Sequence, residues 1–182
     1  MRMRIISGEL KGRLINVPKS DLIRPTTDRV RETLFNLLEN KIDFENILVA
    51  DIYAGSGSLG FECLSRGASQ VHFVEKNFVI YRNLQQNIYS LNVESKTKIF
   101  KTSALRFSSI ENHEKYHLIL ADPPFFKDDI YDTVVNLKKN IFLKENGIII
   151  IERSKQTRDK DSFNLQTEPF KIIGDTCLYE IK

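Results

Sequence analysis

The spacing of apolar residues changes along the chain, and each change marks a new kind of element. Between residues 3 and 17 there are two short apolar runs. Met3, Ile5 and Ile6 precede Gly8 and Lys11-Gly12, and Leu14, Ile15 and Val17 follow them. Two such runs around a glycine-bearing turn predict a β-hairpin. Pro18 to Pro25 reads as an irregular link. From a cap at Thr26 or Thr27 to about Asn40 the spacing becomes helical, with Val30, Leu34, Leu37 and Leu38 on one stripe. After Ile47 strands and helices alternate. Strands are expected at 47–51, 71–75, 98–101, 118–122 and 148–152, and helices at 58–66, 78–91 and 130–139. Tyr81, Leu84, Ile88 and Leu91 would form the inward face of the second of these helices. The charged stretch Arg153–Ser162 predicts an exposed loop, and Phe170–Ile173 with Thr176–Ile181 a closing hairpin around Gly174-Asp175. This rhythm predicts an α/β fold: a doubly wound, mostly parallel sheet covered on both faces, with an antiparallel hairpin at its end.

Composition sharpens this only in places. The chain has 182 residues, 41% hydrophobic and 28% charged, enough for one packed domain plus an appendage. We divide it into an N-terminal basic hairpin and helix (1–42) and a main domain (43–182). The formal net charge is +3. It is uneven: residues 1–31 carry eight Lys/Arg against three acids, so that end is +5 and the remainder −2. A basic arm on a near-neutral body points to a polyanionic partner. Arg24, Arg29 and Arg31 cluster at the start of the first helix, where cations oppose the helix dipole, so a phosphate-facing task is expected of them. Cys63 and Cys177, and His72, His113 and His117, are scattered and match no metal-ligand spacing or disulfide framework. Neither a secretory signal nor a membrane span is expected, which makes the cytoplasm the default location.

Two stretches carry the chemistry. Asp51-Ile-Tyr-Ala-Gly55-Ser-Gly57-Ser-Leu-Gly60 joins the first parallel strand to its helix, and its glycines allow a tight turn and close approach of a ligand. No Lys-Ser/Thr pair follows the glycines, which excludes a P-loop. Asp51 puts a negative charge where a pyrophosphate would sit. A cationic ligand with an amino-acid tail and a ribose fits better, namely S-adenosylmethionine: Asp51 would attract its ammonium and Glu75, ending the next strand, its ribose hydroxyls. The second stretch is Asp122-Pro123-Pro124-Phe125, after a buried strand. Prolines stop the sheet, leaving a stiff corner of carboxylate, backbone carbonyl and aromatic ring. That corner suits a flat substrate with an amino group, which would donate to Asp122 and the Pro123 carbonyl and stack on Phe125.

With both stretches placed, the chain resembles the class I (Rossmann-like) S-adenosylmethionine-dependent methyltransferases. Within them it is similar to the bacterial family that methylates the exocyclic amine of a guanine in small-subunit ribosomal RNA. The resemblance rests on Arg4-Ile-Ile-Ser-Gly8-Glu-Leu-Lys-Gly12-Arg13, Arg24-Pro-Thr-Thr-Asp28-Arg-Val-Arg-Glu32, the glycine loop continuing to Ser65-Arg66-Gly67-Ala68, and the Asp122–Phe125 corner. It implies Asp122, Pro123 and Phe125 as the catalytic set. It implies Asp51, Tyr53, Gly55, Gly57, Gly60, Glu75, Lys76, Ser103 and Ala104 around the cofactor. Arg4, Lys11, Arg13, Arg24, Arg29 and Arg31 would hold RNA, with no metal and a monomeric protein. One departure is visible: after the third strand the run Lys101-Thr-Ser-Ala104 lacks the acid such enzymes carry at the adenine edge, and Ser103 stands nearby instead. The implied partner is ribosomal RNA or the assembling small ribosomal subunit. A DNA adenine amino-methyltransferase and a non-catalytic RNA-binding module on the same core are the competing readings, and a nicotinamide dehydrogenase finds no hydride-transfer site.

Overall fold

The computed structural model describes residues 1–18, 27–124 and 127–182. The N-terminal hairpin is present as β1 (Arg2–Arg4) and β2 (Leu14–Asn16), antiparallel with Met3 opposite Ile15. Met3, Ile5, Ile15 and Val17 face inward. Helix α1 (Asp28–Glu39) starts at Thr27, whose side chain accepts from the Val30 amide. Its buried stripe is Val30, Arg31, Leu34, Phe35 and Leu38. Leu37 is half-buried, and Phe35 takes its place because its ring packs 5.8 Å from Phe44 and beneath the Arg66 guanidinium.

The main sheet has seven strands. In chain order they are β3 (Leu48–Asp51), β4 (Gln70–Val74), β5 (Thr97–Phe100), β6 (Tyr116–Ala121), β7 (Leu143–Ser154), β8 (Lys171–Ile173) and β9 (Thr176–Ile181). In space they run β5-β4-β3-β6-β7-β9-β8. The first five are parallel and β9 is antiparallel to both neighbours, so the closing hairpin fills one edge. Alternate residues of the central strands bury themselves on opposite faces. Val49, Val71, Leu118, Leu120 and Ile150 join one cluster with α2 (Ser58–Ser65) and α3 (Phe78–Leu91). Ile119, Ala121, Ile149 and Ile151 join the other with α4 (Ala104–Phe107), α5 (Asp129–Lys139) and α6 (Arg158–Leu165). This is the doubly wound arrangement that the alternating pattern predicts.

The cluster containing α2 and α3 also takes in Met3, Ile5, Ile15, Val30, Leu34 and Phe35. The hairpin and α1 therefore form a separate small sheet and helix that share a core with the main sheet. Polar side chains dock them. Both oxygens of the fully buried Glu62 accept from the Ile6 and Ser7 amides at 2.9 and 3.0 Å. Asn87 pairs with Asn16 in both directions at 2.8 and 2.9 Å.

Three expectations need correction. Ile80, not Tyr81, leads the buried face of α3. The short helix α4 was not anticipated. The stretch 153–162 is not an exposed loop: Arg153 and Ser154 extend β7, and after a short turn at 155–157 α6 begins. Its charges mislead because two of them, Arg153 and Asp161, are fully buried and paired with one another at 2.9 Å.

Candidate active site

Strand order reverses between β3 and β6, where the Ile52 amide donates to the Leu120 carbonyl at 2.9 Å. In open α/β sheets ligands bind beyond the carboxyl ends of the strands at such a switch point. Asp51 ends β3 there, while Asp122 and Glu75 directly follow β6 and β4. The glycine loop spans the gap from Asp51 to α2.

The loop's shape follows from its residues. Gly57 caps α2 at φ +85°, and a Cβ there would lie 2.5 Å from the Phe61 ring and 2.6 Å from Leu84, so only glycine fits. Gly60 has a different task from the one expected of it. It lies inside α2, where a Cβ would meet the Phe73 ring at 2.3 Å, and so lets the helix close onto β4. It does not face the loop's open side. Gly55 donates its amide to Glu75 Oε2 at 3.1 Å, and Glu75 Oε1 accepts from the Asn77 amide at 2.7 Å. Glu75 thus joins the glycine loop to the start of α3, with Lys76 exposed beside it.

Asp51 is 1% exposed, and its Oδ2 accepts from the Gly60 amide at 3.0 Å. It serves the positive end of α2. One hydrogen bond does not offset its burial. Desolvation, with repulsion from Asp122 and Glu75, raises its carboxyl to about 7. The three acids therefore share one electrostatic neighbourhood. Asp122 is half-buried, Pro123 buried and Pro124 exposed, and the Pro124 carbonyl accepts from the Lys127 amide at 3.0 Å. Phe125 and Arg24 lie outside the described residues.

Other expected site residues are placed differently. Tyr53 packs its ring against the cluster beneath α5, and its hydroxyl is buried near Thr133 and Asp129 of that helix. Only its backbone belongs to the loop. Ser103 caps α4, its hydroxyl accepting from the Arg106 amide at 3.2 Å, and Ala104 is buried in the first turn. Arg31 is the clearest correction. It is 1% exposed, with Nη2 on the Arg4 carbonyl at 2.8 Å and Asp28 at 3.0 Å, so it faces the core and not a phosphate. Burial lowers its pKa, Asp28 opposing. Arg4, Lys11, Arg13 and Arg29 are exposed. Arg4 Nε is 3.3 Å from Asp28, and Arg13 donates to the Ser90 carbonyl at 2.6 Å.

Sequence reasoning passed over Glu62 and Asn87. Asn87 Nδ2 also reaches the Ser56 carbonyl at 3.0 Å, which ties the hairpin to the glycine loop. A polar residue one place along the apolar stripe of α3 was the available signal. The histidines are structural: His72 Nδ1 lies 2.8 Å from the Tyr116 hydroxyl, burial pushes it down to about 4, and His117 accepts from the Leu48 amide. Among the described residues no group of His, Cys, Asp or Glu could hold a metal ion, and no helix is long and apolar enough to cross a membrane.

Comparison with known proteins gives the family and the fold. The family model described as conserved hypothetical protein 95 matches residues 3–182. The ribosomal RNA small subunit methyltransferase D of Haemophilus influenzae is 38% identical over 155 residues, 84% of this chain and 79% of that protein. The protein of the same name from Escherichia coli is 35% identical over 151 residues, 83% of this chain and 74% of its own. A solved structure of a candidate methyltransferase from Escherichia coli superposes with TM-score 0.82 at 29% identity, covering 100% of this chain and 99% of that one.

Proposed function

The chain belongs to the conserved hypothetical protein 95 family, and from that premise we propose that it is a ribosomal RNA methyltransferase that transfers a methyl group from S-adenosylmethionine to the exocyclic 2-amino group of a guanine in small-subunit RNA. The observation that carries this reading is the set of three carboxylates, Asp51, Glu75 and Asp122, at one switch point around a glycine loop. Such a cluster repels a pyrophosphate and favours a cation. The residues fit the donor: the groups that raise Asp51 electrostatically are both acids, so a positive ligand would relieve it. Asp51 and the loop would hold the amino-acid end and Glu75 the ribose. When bound, the sulfonium supplies an already activated methyl group, so the protein's share is positioning and charge.

A guanine amine is a poor nucleophile because its lone pair is delocalised into the ring. Asp122 and the Pro123 carbonyl would accept its two N–H bonds and favour a pyramidal nitrogen. As positive charge develops there, the Asp122 carboxylate stabilises it. The base must leave its stack to reach this corner, and the ring of Phe125 would hold it. Arg4, Lys11, Arg13, Arg24 and Arg29 would grip phosphates, in the cytoplasm where small subunits assemble. Residues 1–42 thus take the RNA-binding role and 43–182 the catalytic one.

The test is incubation of the purified protein with labelled cofactor and either small-subunit ribosomal RNA or DNA, followed by nucleoside mapping. Label in N2-methylguanosine is expected. Label in DNA adenine favours the first competing reading, and cofactor binding without transfer to any nucleic acid favours the second.

A further inference from the structure

Arg153 and its surroundings have no part in the chemistry just described. The side chain is fully buried on the face of the sheet opposite α2. Its Nε donates to Asp161 Oδ1 at 2.9 Å. Asp161, equally buried, also accepts from the Tyr131 hydroxyl at 2.7 Å and the Thr157 hydroxyl at 2.6 Å. This fixes the guanidinium at one end. At the other, Nη1 reaches the Lys127 carbonyl at 3.4 Å. Pro124 follows Asp122 and Pro123 in the chain, and its carbonyl accepts from the Lys127 amide at 3.0 Å. The next residue, Asp128, is held by Lys160 of α6 at 2.6 Å. Two contacts from the β7–α6 region thus converge on Lys127 and Asp128, the first of which is hydrogen-bonded to Pro124.

Stability alone does not account for this arrangement. A buried ion pair gains little over a well-packed apolar pair, because desolvation offsets most of the attraction. Arg153 also leaves Nη2 without a hydrogen-bond partner among the described residues. Orphaned buried polar atoms each carry a cost. What the arrangement provides, and an apolar pair would not, is a rigid donor aimed at one backbone carbonyl.

We propose that Arg153 is a positioning residue: anchored on Asp161, it holds the Lys127 carbonyl and, through the Lys127 amide on the Pro124 carbonyl, steadies the Asp122-Pro123-Pro124 corner offered to the substrate amine. This rests on the role given to Asp122 above. A misplacement of about 1 Å at a reacting centre costs up to ~100-fold in rate.

The experiment compares two variants with the wild type under steady-state turnover, cofactor calorimetry and amide exchange. Arg153→Lys keeps a cation for Asp161 but loses the planar fork that serves two partners. The double variant Arg153→Met/Asp161→Leu removes both charges, so no buried ion is stranded. Each is expected to lower kcat about ten- to a hundred-fold, to leave cofactor affinity and KM for RNA within about two-fold, and to speed exchange in the peptide spanning 120–131. A folded variant of either kind with kcat within two-fold of wild type and unchanged exchange there overturns the inference, as does a fall in melting temperature with kcat intact. If the double variant does not fold, Arg153→Lys decides. Asp122→Ala is measured in parallel. If it retains turnover, the assignment of Asp122 fails; if it is inactive while the Arg153 variants are normal, only the present inference fails.

Discussion

Asp51 gives the sharpest prediction for a single residue. Its carboxyl, ordinarily near 3.8, is raised to about 7 by burial and then by Asp122 and Glu75. Because the folded value lies above the ordinary one, this group's contribution to stability is present at low pH and is lost as pH rises from about 4 to about 7. A bound cation favours the ionised form, so cofactor binding should release a proton and tighten as pH rises toward about 7. Below pH 7 the ligand's own amine stays charged, an α-amino group titrating near 7.7–8.0. Calorimetry of the wild type and Asp51→Asn checks this: the variant should bind more weakly and without that pH slope. An equal slope in both would remove Asp51 from the account. Gly60 makes a different prediction. Gly60→Ala drives a methyl group into the Phe73 ring and should cost about 1–3 kcal/mol of stability, read by denaturant unfolding.

Among the elements, the N-terminal hairpin is docked both by its core residues and by polar side chains of α2 and α3, Glu62 among them. Glu62→Ala would strand the Ile6 and Ser7 amides and take from Arg66, 3.1 Å away, its buried partner, leaving it Glu39. Removing one partner of a buried pair costs about 3–5 kcal/mol. Faster proteolysis within residues 1–17 and weaker RNA binding are expected, with cofactor affinity unchanged, since Glu62 does not touch the glycine loop's open side. These elements also show what the sequence could disclose. The period of the apolar residues located β3 to β9 and the main helices, because burial of one face dictates that period. The ends of β3, β4 and β6 were legible for the same reason, and with them Asp51, Glu75 and Asp122. Side-chain direction was not. Arg31 and Arg153 looked like surface charges, and each is buried beside an acid, Asp28 one helical turn away and Asp161 on the following helix. Tyr53 and Gly60 sat in the right motif but serve packing. No local pattern distinguishes a charge paired inside from one solvated outside.

At the scale of the whole molecule, a basic hairpin lies against α2 and α3, next to an acidic switch point. The two surfaces suit different parts of one nucleotide chain: cations for phosphates, carboxylates for an amine. RNA affinity should therefore fall with salt, and replacing exposed Arg4 and Lys11 together by Ala should reduce the log–log salt slope by about 0.7 per lost contact on a single-stranded segment. Arg31→Ala should instead lower stability with little change in that slope, which filter binding and thermal melting together would show. The most direct test concerns Asp122 itself. Asp122→Ala should bind S-adenosylmethionine with affinity close to the wild type while methyl transfer to small-subunit RNA falls by at least about 100-fold, the scale expected when a group aligned with developing charge is removed. Near-normal transfer by that variant would contradict the mechanism.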